Sequence, residues 1–421
     1  MRPLAVPLLL TITGLALAGC AGSSSHSSPP LTFKSAQAKL SGGFNLVVSR
    51  LPGHHAPTHH SAHRSSPPLA GAQSGTDANL PAEPAGLTGP TAAWDASLRL
   101  PLAGSEPAWF YPASGRREPI GGLPASQIGY AFSRAVGGWA VQAAPPAGTD
   151  GQLGCPACAS PPLPVWFLAD GASRALRAGR ANLVAPGARR GTLWLTSYPP
   201  GAAAAPGTAQ LTAANGRALG PPVRLPAGYV IGAGTARGLL LAPVAGAALT
   251  SSGGTRPDLL WNPATRRVTR RLPGVIAASA SRVAWQEPCP GGCRLHVLEL
   301  ASGWVTTIPL ARGSTVPAAA FSPDGRFLAL QITSPSGGDS GAAPTRLEVA
   351  GPGALRLSPV PDTSVSSDAL AGFGWPGAQD RLVAELSFTT KVQVAAWKPG
   401  APRLAVAQVR PGPHLGSVVT G

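Results

Sequence analysis

A short strand-like segment recurs along the chain from about residue 94 onward. Its copies begin at Trp139, Leu193, Leu239, Val283, Phe327 and Leu382, at intervals of 54, 46, 44, 44 and 55 residues. The two long intervals contain insertions rich in Pro, Gly and Ser near 144–163 and 333–344. A period in the middle forties, with several short strands in each unit, predicts a β-propeller.

Predicted hairpins lie between these segments and supply the remaining strands of each unit. They are Val165 to Leu168 with the turn Asp170-Gly171, Leu259 to Val268, His296 to Val305, and fainter hairpins in 208–225, 345–360 and 391–409. A further hairpin at Trp109-Phe110-Tyr111 has no evident inner partner. We therefore expect an all-β propeller of four-stranded blades over 91–410, with seven blades closed by a strand from the other terminus, or else six. Residues 411–421 are expected to form a C-terminal tail.

The composition agrees with a fold of short strands. The chain has 53 Gly and 48 Pro in 421 residues, and both residues are unfavourable inside helices. Long helices and coiled coils are therefore excluded. The 44% of apolar residues is more than a chain that is disordered throughout carries.

One repeat contains a complete turn motif. The sequence Phe321-Ser322-Pro323-Asp324-Gly325-Arg326-Phe327-Leu328-Ala329 suits a tight turn, because Pro fixes φ, Asp caps the turn and Gly accepts positive φ. This copy resembles the repeat of the TolB-like, WD40-like β-propellers of bacteria. The resemblance covers 94–409 by period and one blade by motif, and it implies an interaction platform more often than a catalyst.

The N-terminus resembles a bacterial lipoprotein signal peptide. An apolar stretch from Leu4 to Leu17 ends in Leu17-Ala18-Gly19-Cys20, which matches the lipobox at every position. The resemblance implies removal of residues 1–19, lipid attachment at Cys20 and location on the extracytoplasmic face of the cell membrane. An ordinary secretory signal is the alternative. The Ser- and Pro-rich residues 20–90 are expected to be a flexible, disordered tether.

The tether contains a cluster of five histidines, His54, His55, His59, His60 and His63. Such a cluster could collect Zn²⁺ or Cu²⁺, but nothing in the sequence supplies a fixed geometry, and a polar spacer explains it equally. No metal and no cofactor are therefore predicted.

Two close cysteine pairs follow the tether, Cys155 with Cys158 and Cys289 with Cys293. Each pair follows a repeat segment and precedes a hairpin, so we expect equivalent loops of two blades. Outside the cytoplasm two local disulfides are expected. The alternatives are a Cys₄ zinc site, a redox pair and pairing between the loops.

The formal charge of +16 comes mainly from arginine. Arg266-Arg267-Val268-Thr269-Arg270-Arg271 falls on a predicted outer strand, where charges discourage edge-to-edge pairing. Attraction to anionic lipid head groups or wall polymers is the functional interpretation. The predicted location argues against nucleic acid.

No catalytic motif is present in the sequence. A Gly-x-Ser-x-Gly elbow is missing, the acids are scattered singly, and Gly232-Ala233-Gly234 is interpreted as a blade turn. We therefore expect a monomeric, non-enzymatic scaffold that binds an envelope protein or cell-wall polymer. A propeller hydrolase or lactonase with a small substrate in the central funnel is the alternative.

Overall fold

The computed structural model describes residues 92–124, 129–143, 161–199, 205–244, 256–287, 294–334, 344–352, 356–366, 369–377, 380–388, 392–409 and 415–420. Strands and turns make up this part of the chain. No helix with the length and hydropathy of a membrane span occurs in these ranges.

The strands form seven antiparallel sheets, and the strand bounds in chain order are as follows. β1 (Leu100–Gly104), β2 (Ala108–Tyr111) and β3 (Arg116–Pro119) belong to blade 7; β4 (Tyr130–Ala135), β5 (Gly138–Ala143), β6 (Leu163–Ala169) and β7 (Leu176–Ala181) form blade 1; β8 (Leu183–Pro186), β9 (Thr192–Ser197), β10 (Thr208–Ala213) and β11 (Val223–Arg224) form blade 2; β12 (Tyr229–Thr235), β13 (Gly238–Pro243), β14 (Asp258–Asn262) and β15 (Arg267–Leu272) form blade 3. β16 (Val275–Ala278), β17 (Arg282–Gln286), β18 (Arg294–Glu299) and β19 (Val305–Pro309) form blade 4; β20 (Thr315–Phe321), β21 (Leu328–Thr333), β22 (Pro344–Ala350), β23 (Leu357–Pro359) and the short β24 (Val365–Ser366) form blade 5; β25 (Leu370–Gly374), β26 (Leu382–Ser387), β27 (Val392–Trp397) and β28 (Ala405–Val409) form blade 6; and β29 (Leu415–Val418) completes blade 7.

Seven blades confirm the predicted propeller. Within blades 1 to 6 the sheet order follows the chain order from the first strand to the fourth, and first strands of neighbouring blades contact each other. The recurring segments of the sequence all lie at the second strand, β5, β9, β13, β17, β21 and β26. The period therefore identified the same position in six of the seven blades, next to the inner strand.

Blade 7 closes the ring by joining the two ends of the described chain. β29 is its innermost strand and pairs with β1, with Leu102 opposite Val418. The expected closure by a strand from the other terminus is confirmed. The sequence analysis located neither inner partner of the Trp109 hairpin, because Pro101 and Gly104 interrupt the pattern of β1 and β29 is only four residues long. The predicted tail is wrong in this part, since residues 415–418 belong to the propeller.

The hydrophobic core lies between the faces of neighbouring blades. One cluster joins Leu347 and Val349 of blade 5 to Phe373, Trp375 and Leu382 at the start of blade 6. Trp109, Trp139 and Trp375 are among the largest fully buried side chains. Each blade therefore depends on both neighbours to cover its apolar faces.

The segment Gly232-Ala233-Gly234 lies inside β12, and its interpretation as a turn is wrong. A Cβ on Gly234 would lie 3.0 Å from the backbone nitrogen of Ala188 and 3.0 Å from Nε1 of Trp194. The glycine is therefore required by the close approach of blades 2 and 3, not by chain reversal.

The two ends of the propeller differ in their connections. Turns between first and second strands and between third and fourth strands lie at one end, which we call the turn end. The other end, the loop end, has the connections between second and third strands and those between blades. In blades 1 and 4 the second and third strands are separated in sequence by residues 144–162 and 287–293. The two cysteine pairs fall within these stretches and lie outside the described residues.

Candidate functional site: the channel mouth at the turn end

A cavity of about 100 Å³ opens where the inner strands converge at the turn end. We call it the channel mouth. First strands of six blades, or the turns that follow them, supply its wall. The lining residues are Arg134, Ala135, Val136, Pro186, Gly187, Ala233, Gly234, Ala277, Ala278, Ser279, Ala280, Ala319, Ala320, Phe321, Ser322, Pro323, Gly374 and Trp375.

Small residues end the inner strands at this mouth. Each blade that lines it contributes Ala, Gly or Pro there, for example Gly187 in blade 2 and Ala278 in blade 4. Residues without bulky side chains let several strands approach one axis and leave backbone groups accessible. The sequence signal for the mouth was a small residue four to eight positions before each recurring second strand, a pattern that the sequence analysis did not use.

Arg134 is the one charged residue among those that line the mouth. Its guanidinium makes a bidentate pair with Asp170, with Nη1–Oδ1 2.6 Å and Nη2–Oδ2 2.9 Å. Nη1 also donates to the carbonyl of Gly138 at 2.9 Å, and the group lies 5.1 Å from the ring centroid of Trp139. Nε has no hydrogen-bond partner within the described ranges. The paired acid fixes the guanidinium at the edge of the mouth, and the buried Nε is left without a partner among the described residues.

The repeat-turn motif forms the blade 5 part of the wall. The Ser322 hydroxyl donates to Oδ1 of Asp324 at 2.6 Å and accepts from the Phe327 N–H at 2.9 Å. Gly325 has φ of 73° and donates to the Ser322 carbonyl at 2.8 Å. The five predicted motif residues Phe321, Ser322, Pro323, Asp324 and Gly325 thus form one hydrogen-bonded turn, and its first three residues line the mouth.

The residues after this turn attach blade 5 to blade 6. Trp375 donates from Nε1 to the Ala320 carbonyl at 3.0 Å and stacks on Phe327 with ring centroids 5.8 Å apart. Arg326 lies 3.6 Å from Asp380. The motif therefore holds a wall of the mouth and a blade junction in place at once.

The other predicted site residues lie outside the described ranges. These are Cys20, the pairs Cys155–Cys158 and Cys289–Cys293, and the histidines of 54–63. Lipid attachment, disulfide formation and metal binding by these residues stay predictions. The arginine run at 266–271 is described, and most of it forms β15, the outermost strand of blade 3, as expected.

Two buried carboxyl groups have shifted pKa values, and neither lines the mouth. Burial raises the pKa of Asp258 to about 6. The hydrogen bond that its Oδ2 accepts from the Val275 N–H at 2.8 Å acts in the opposite direction but is the smaller effect. Burial raises the pKa of Glu385 to about 7, against a hydrogen bond from the backbone of Val418. Both groups belong to blade packing.

His296 lies in β18 and packs in the blade 4 sheet. Its ring stacks on Trp285 at 5.2 Å, Nδ1 lies 3.0 Å from Oγ1 of Thr307, and Nε2 lies 3.1 Å from Oε1 of Glu287. In the part of the chain that the structure describes, no group of three or more His, Cys, Asp or Glu could hold a metal ion.

No protein-family model and no curated protein matches this chain. Solved structures resemble it at low identity. The β-propeller domain of the Trilobed protease from Pyrococcus furiosus has a TM-score of 0.44 and 9% identity, with 73% of this chain and 90% of that chain covered. A putative 6-phosphogluconolactonase from Bacteroides fragilis has a TM-score of 0.36 and 12% identity, with 74% and 96% covered. The tricorn protease has a TM-score of 0.38 and 10% identity, with 72% of this chain covered, and this chain spans 34% of its length. At these levels the likeness concerns the fold alone.

Proposed function

We propose that this protein is a binding scaffold of the cell envelope and that its channel mouth receives a side chain or a chain end of a partner protein. The lipobox resemblance supports attachment to the membrane through Cys20. The propeller would then be presented on the extracytoplasmic side by the segment 20–90.

The observation that carries this proposal is the size and lining of the mouth. About 100 Å³ is well below the roughly 300–1,000 Å³ of small-molecule sites, so the mouth suits a small protruding group better than a whole ligand. Its wall presents Ala, Gly, Pro and Ser together with backbone groups, and the guanidinium of Arg134 stands at the edge. Such a wall offers shape and hydrogen bonds to a protruding group.

Arg134 supplies the one charged group among the described residues that line the mouth. Its guanidinium is held by Asp170 and Gly138 and its unpartnered Nε is buried, so the small side chains of the wall, rather than a free N–H of Arg134, are the groups offered to a partner. The hydrolase alternative has no such support, because a hydrolytic site needs an activating base or nucleophile, and the lining residues provide only serines, one of which is bonded within its turn.

Filling the mouth tests the proposal. The variant Ala278→Leu places a larger side chain among the lining residues, and Ala301→Leu makes the same change at an exposed position of the same blade. Cross-linking of the native protein in intact cells, followed by mass spectrometry, identifies what each form captures. We expect one recurrent envelope partner with the wild type and with Ala301→Leu, and its loss with Ala278→Leu. Undiminished capture by a folded Ala278→Leu protein would overturn the proposal for the mouth.

Attachment is tested separately at the predicted lipid site. Cys20→Ser should move the protein from the membrane fraction to the soluble fraction, because the thiol is the atom that accepts the lipid. Retention of the variant in membranes at the wild-type level would overturn the anchor.

A further inference from the structure

Positive charge is concentrated in three adjacent blades. Residues 129–274, which contain blades 1 to 3, have 14 arginines and three aspartates, a net charge of +11 out of the total of +16. Eleven of these arginines are exposed. In the described ranges of this segment the one ion pair joins Arg134 to Asp170. One side of the ring is therefore strongly basic.

Many of the exposed arginines lie at the turn end, close to the connections between third and fourth strands. Five of them are in such a connection or in the first two residues of the strand that follows it. They are Arg174, Arg177, Arg217, Arg266 and Arg267. We call the arc that these connections form in blades 1 to 4 the basic rim.

The exposed large hydrophobic side chains lie on the same rim. Among the described residues there are five of them, namely Leu176, Leu219, Val268, Trp304 and Val305. Each lies between the third and fourth strands of blades 1 to 4 or at the start of the fourth strand. Trp304 is the most exposed, at 76%, and extends from the blade 4 turn. Glu299 of that turn accepts a hydrogen bond from Ser302 at 2.8 Å.

The opposite side of the ring has the same connections with a different composition. In blades 5 and 6 they present Arg356, Lys398 and Arg403, without an exposed large hydrophobic side chain in the described ranges. Residues 310–420, which follow blade 4, have nine basic and seven acidic residues, a net charge of only +2. The basic rim is therefore a local feature, not a general consequence of the protein's charge.

We infer that the basic rim is a docking surface for a bilayer that contains anionic phospholipids. Arginines near a negatively charged membrane surface contribute about 1 kcal/mol each, and aromatic side chains favour the interface between head groups and acyl chains. An anionic polymer would use the arginines alone. The exposed apolar side chains of the same rim favour the lipid surface, whose interface accommodates both kinds of group. Leu176, Leu219 and Val268 lie beside the arginines, and Trp304 lies on the adjacent blade 4.

The entry point of the chain agrees with this orientation. The Ala92 N–H donates to the carbonyl of Leu404 at 2.7 Å, and Asp95 pairs with Arg381 at 3.0 Å. Both partners belong to turn-end connections of blade 6. The polypeptide therefore enters the propeller at the end that has the basic rim. The inference does not depend on lipid attachment at Cys20 or on the partner of the channel mouth.

Vesicle flotation with the full chain tests the rim. Partition into vesicles of phosphatidylcholine alone is compared with partition into vesicles that contain about one third phosphatidylglycerol. The readout is the ratio of the two partition coefficients, because any contribution of the N-terminal segment affects both. The variant Arg174→Gln/Arg217→Gln/Arg267→Gln should lower this ratio by roughly tenfold to a hundredfold. The control Arg356→Gln/Lys398→Gln/Arg403→Gln removes the same charge from the opposite side and should lower it less than about threefold.

Trp304→Ala distinguishes a bilayer from a polyanion. With brominated phosphatidylglycerol vesicles, we expect the tryptophan fluorescence of the wild type to be quenched. Trp304→Ala should lose most of that quenching and partition several-fold more weakly than the wild type. If the partition ratio falls equally in both triple variants, the basic rim is not the docking surface, and the attraction comes from the overall charge of the protein. If phosphatidylglycerol does not increase partition, the proposal of a membrane-docking surface is overturned. The same holds if Trp304→Ala binds as well as the wild type and polyphosphate abolishes that binding.

Discussion

The junction between blades 5 and 6 and the closure of the ring at blade 7 are built differently. At the first, a complete turn motif is followed by side-chain contacts, with Trp375 bonded to Ala320 and stacked on Phe327. At the second, a four-residue strand from the end of the described chain pairs with β1, and the buried Glu385 contacts its backbone at Val418. The first junction is specified by a local motif, and the second depends on a contact between distant parts of the chain.

This difference predicts where changes in the chain should destabilise the propeller most. A local turn forms from neighbouring residues and keeps most of its contacts when one is removed. Closure has a large entropic cost, because the two ends of a long chain must meet. Changes at the closure should therefore affect the whole fold, and changes in the motif should have smaller, separable effects.

Removal of residues 415–421 should have the largest effect. The deletion leaves β1 without its inner partner and uncovers the apolar faces that Val418 and Val419 bury. We expect the free energy of unfolding to fall by more than about 5 kcal/mol, since each fully buried side chain of this size contributes about 1.5–3 kcal/mol. Urea unfolding measures it. The milder Val418→Ala should fold and lose about 2 kcal/mol, and a loss below about 0.5 kcal/mol in either form would contradict closure by β29.

At the motif junction, Trp375→Ala should cost about 3–4 kcal/mol. The side chain is fully buried, stacks on Phe327 and donates to Ala320. Trp304→Ala is the matched control, because Trp304 is exposed, and its unfolding free energy should change by less than about 0.5 kcal/mol. Similar losses in the two variants, measured by urea unfolding, would show that the stack does not hold the junction.

Stability should fall as the pH rises from about 4.5 to above 7. Burial raises the pKa of Glu385 from 4.5 to about 7, so the folded protein keeps the proton after the unfolded chain has lost it. Its stabilising contribution is fully present below pH 4.5 and is lost as the pH passes through 7, a change of about 3 kcal/mol. The pKa of Asp258 is raised to about 6, so its deprotonation also lowers the free energy of unfolding, at a lower pH than that of Glu385.

A substitution of Glu385 tests its contribution to this pH dependence. Glu385→Gln should flatten the upper part of the stability profile, and Glu106→Gln, at an exposed position, should leave the profile unchanged. Urea unfolding at a series of pH values provides the comparison. A Glu385→Gln profile that is parallel to the wild type between pH 5 and pH 7 would contradict the assignment of this slope to Glu385.

The sequence predicted the parts of the propeller that repeat. The second strands, six blades and the motif turn all followed from recurring apolar segments and from turn residues with defined φ preferences. β1 and β29 did not, because Pro101 and Gly104 resemble loop residues and Leu415–Val418 is too short to show a period. Closure is a long-range pairing, and no local pattern encodes it.

The candidate sites followed from sequence only in fragments. The arginine run at 266–271 was visible in the sequence, but the basic rim consists of residues from four blades that the ring brings side by side. At the channel mouth, the alanines and glycines were ordinary loop signals until their common position in the blades was known. Sites made of single residues from many repeats need the register of the repeats before they can be seen.

The smallest expected effect separates backbone strain from packing at the motif turn. Gly325 and Gly303 have φ of 73° and 78°, so an alanine is strained at both. A Cβ on Gly325 would lie 2.6 Å from Oγ of Ser281 in blade 4, whereas nothing lies within 4 Å of one on Gly303. We expect Gly303→Ala to cost about 1 kcal/mol through strain alone and Gly325→Ala to cost up to about 1 kcal/mol more, because Ser281 must move. Thermal or urea unfolding of the two variants gives the difference. Equal costs would mean that the turn of blade 5 is specified by its own backbone, and that its contact with blade 4 contributes nothing to the order of the blades around the mouth.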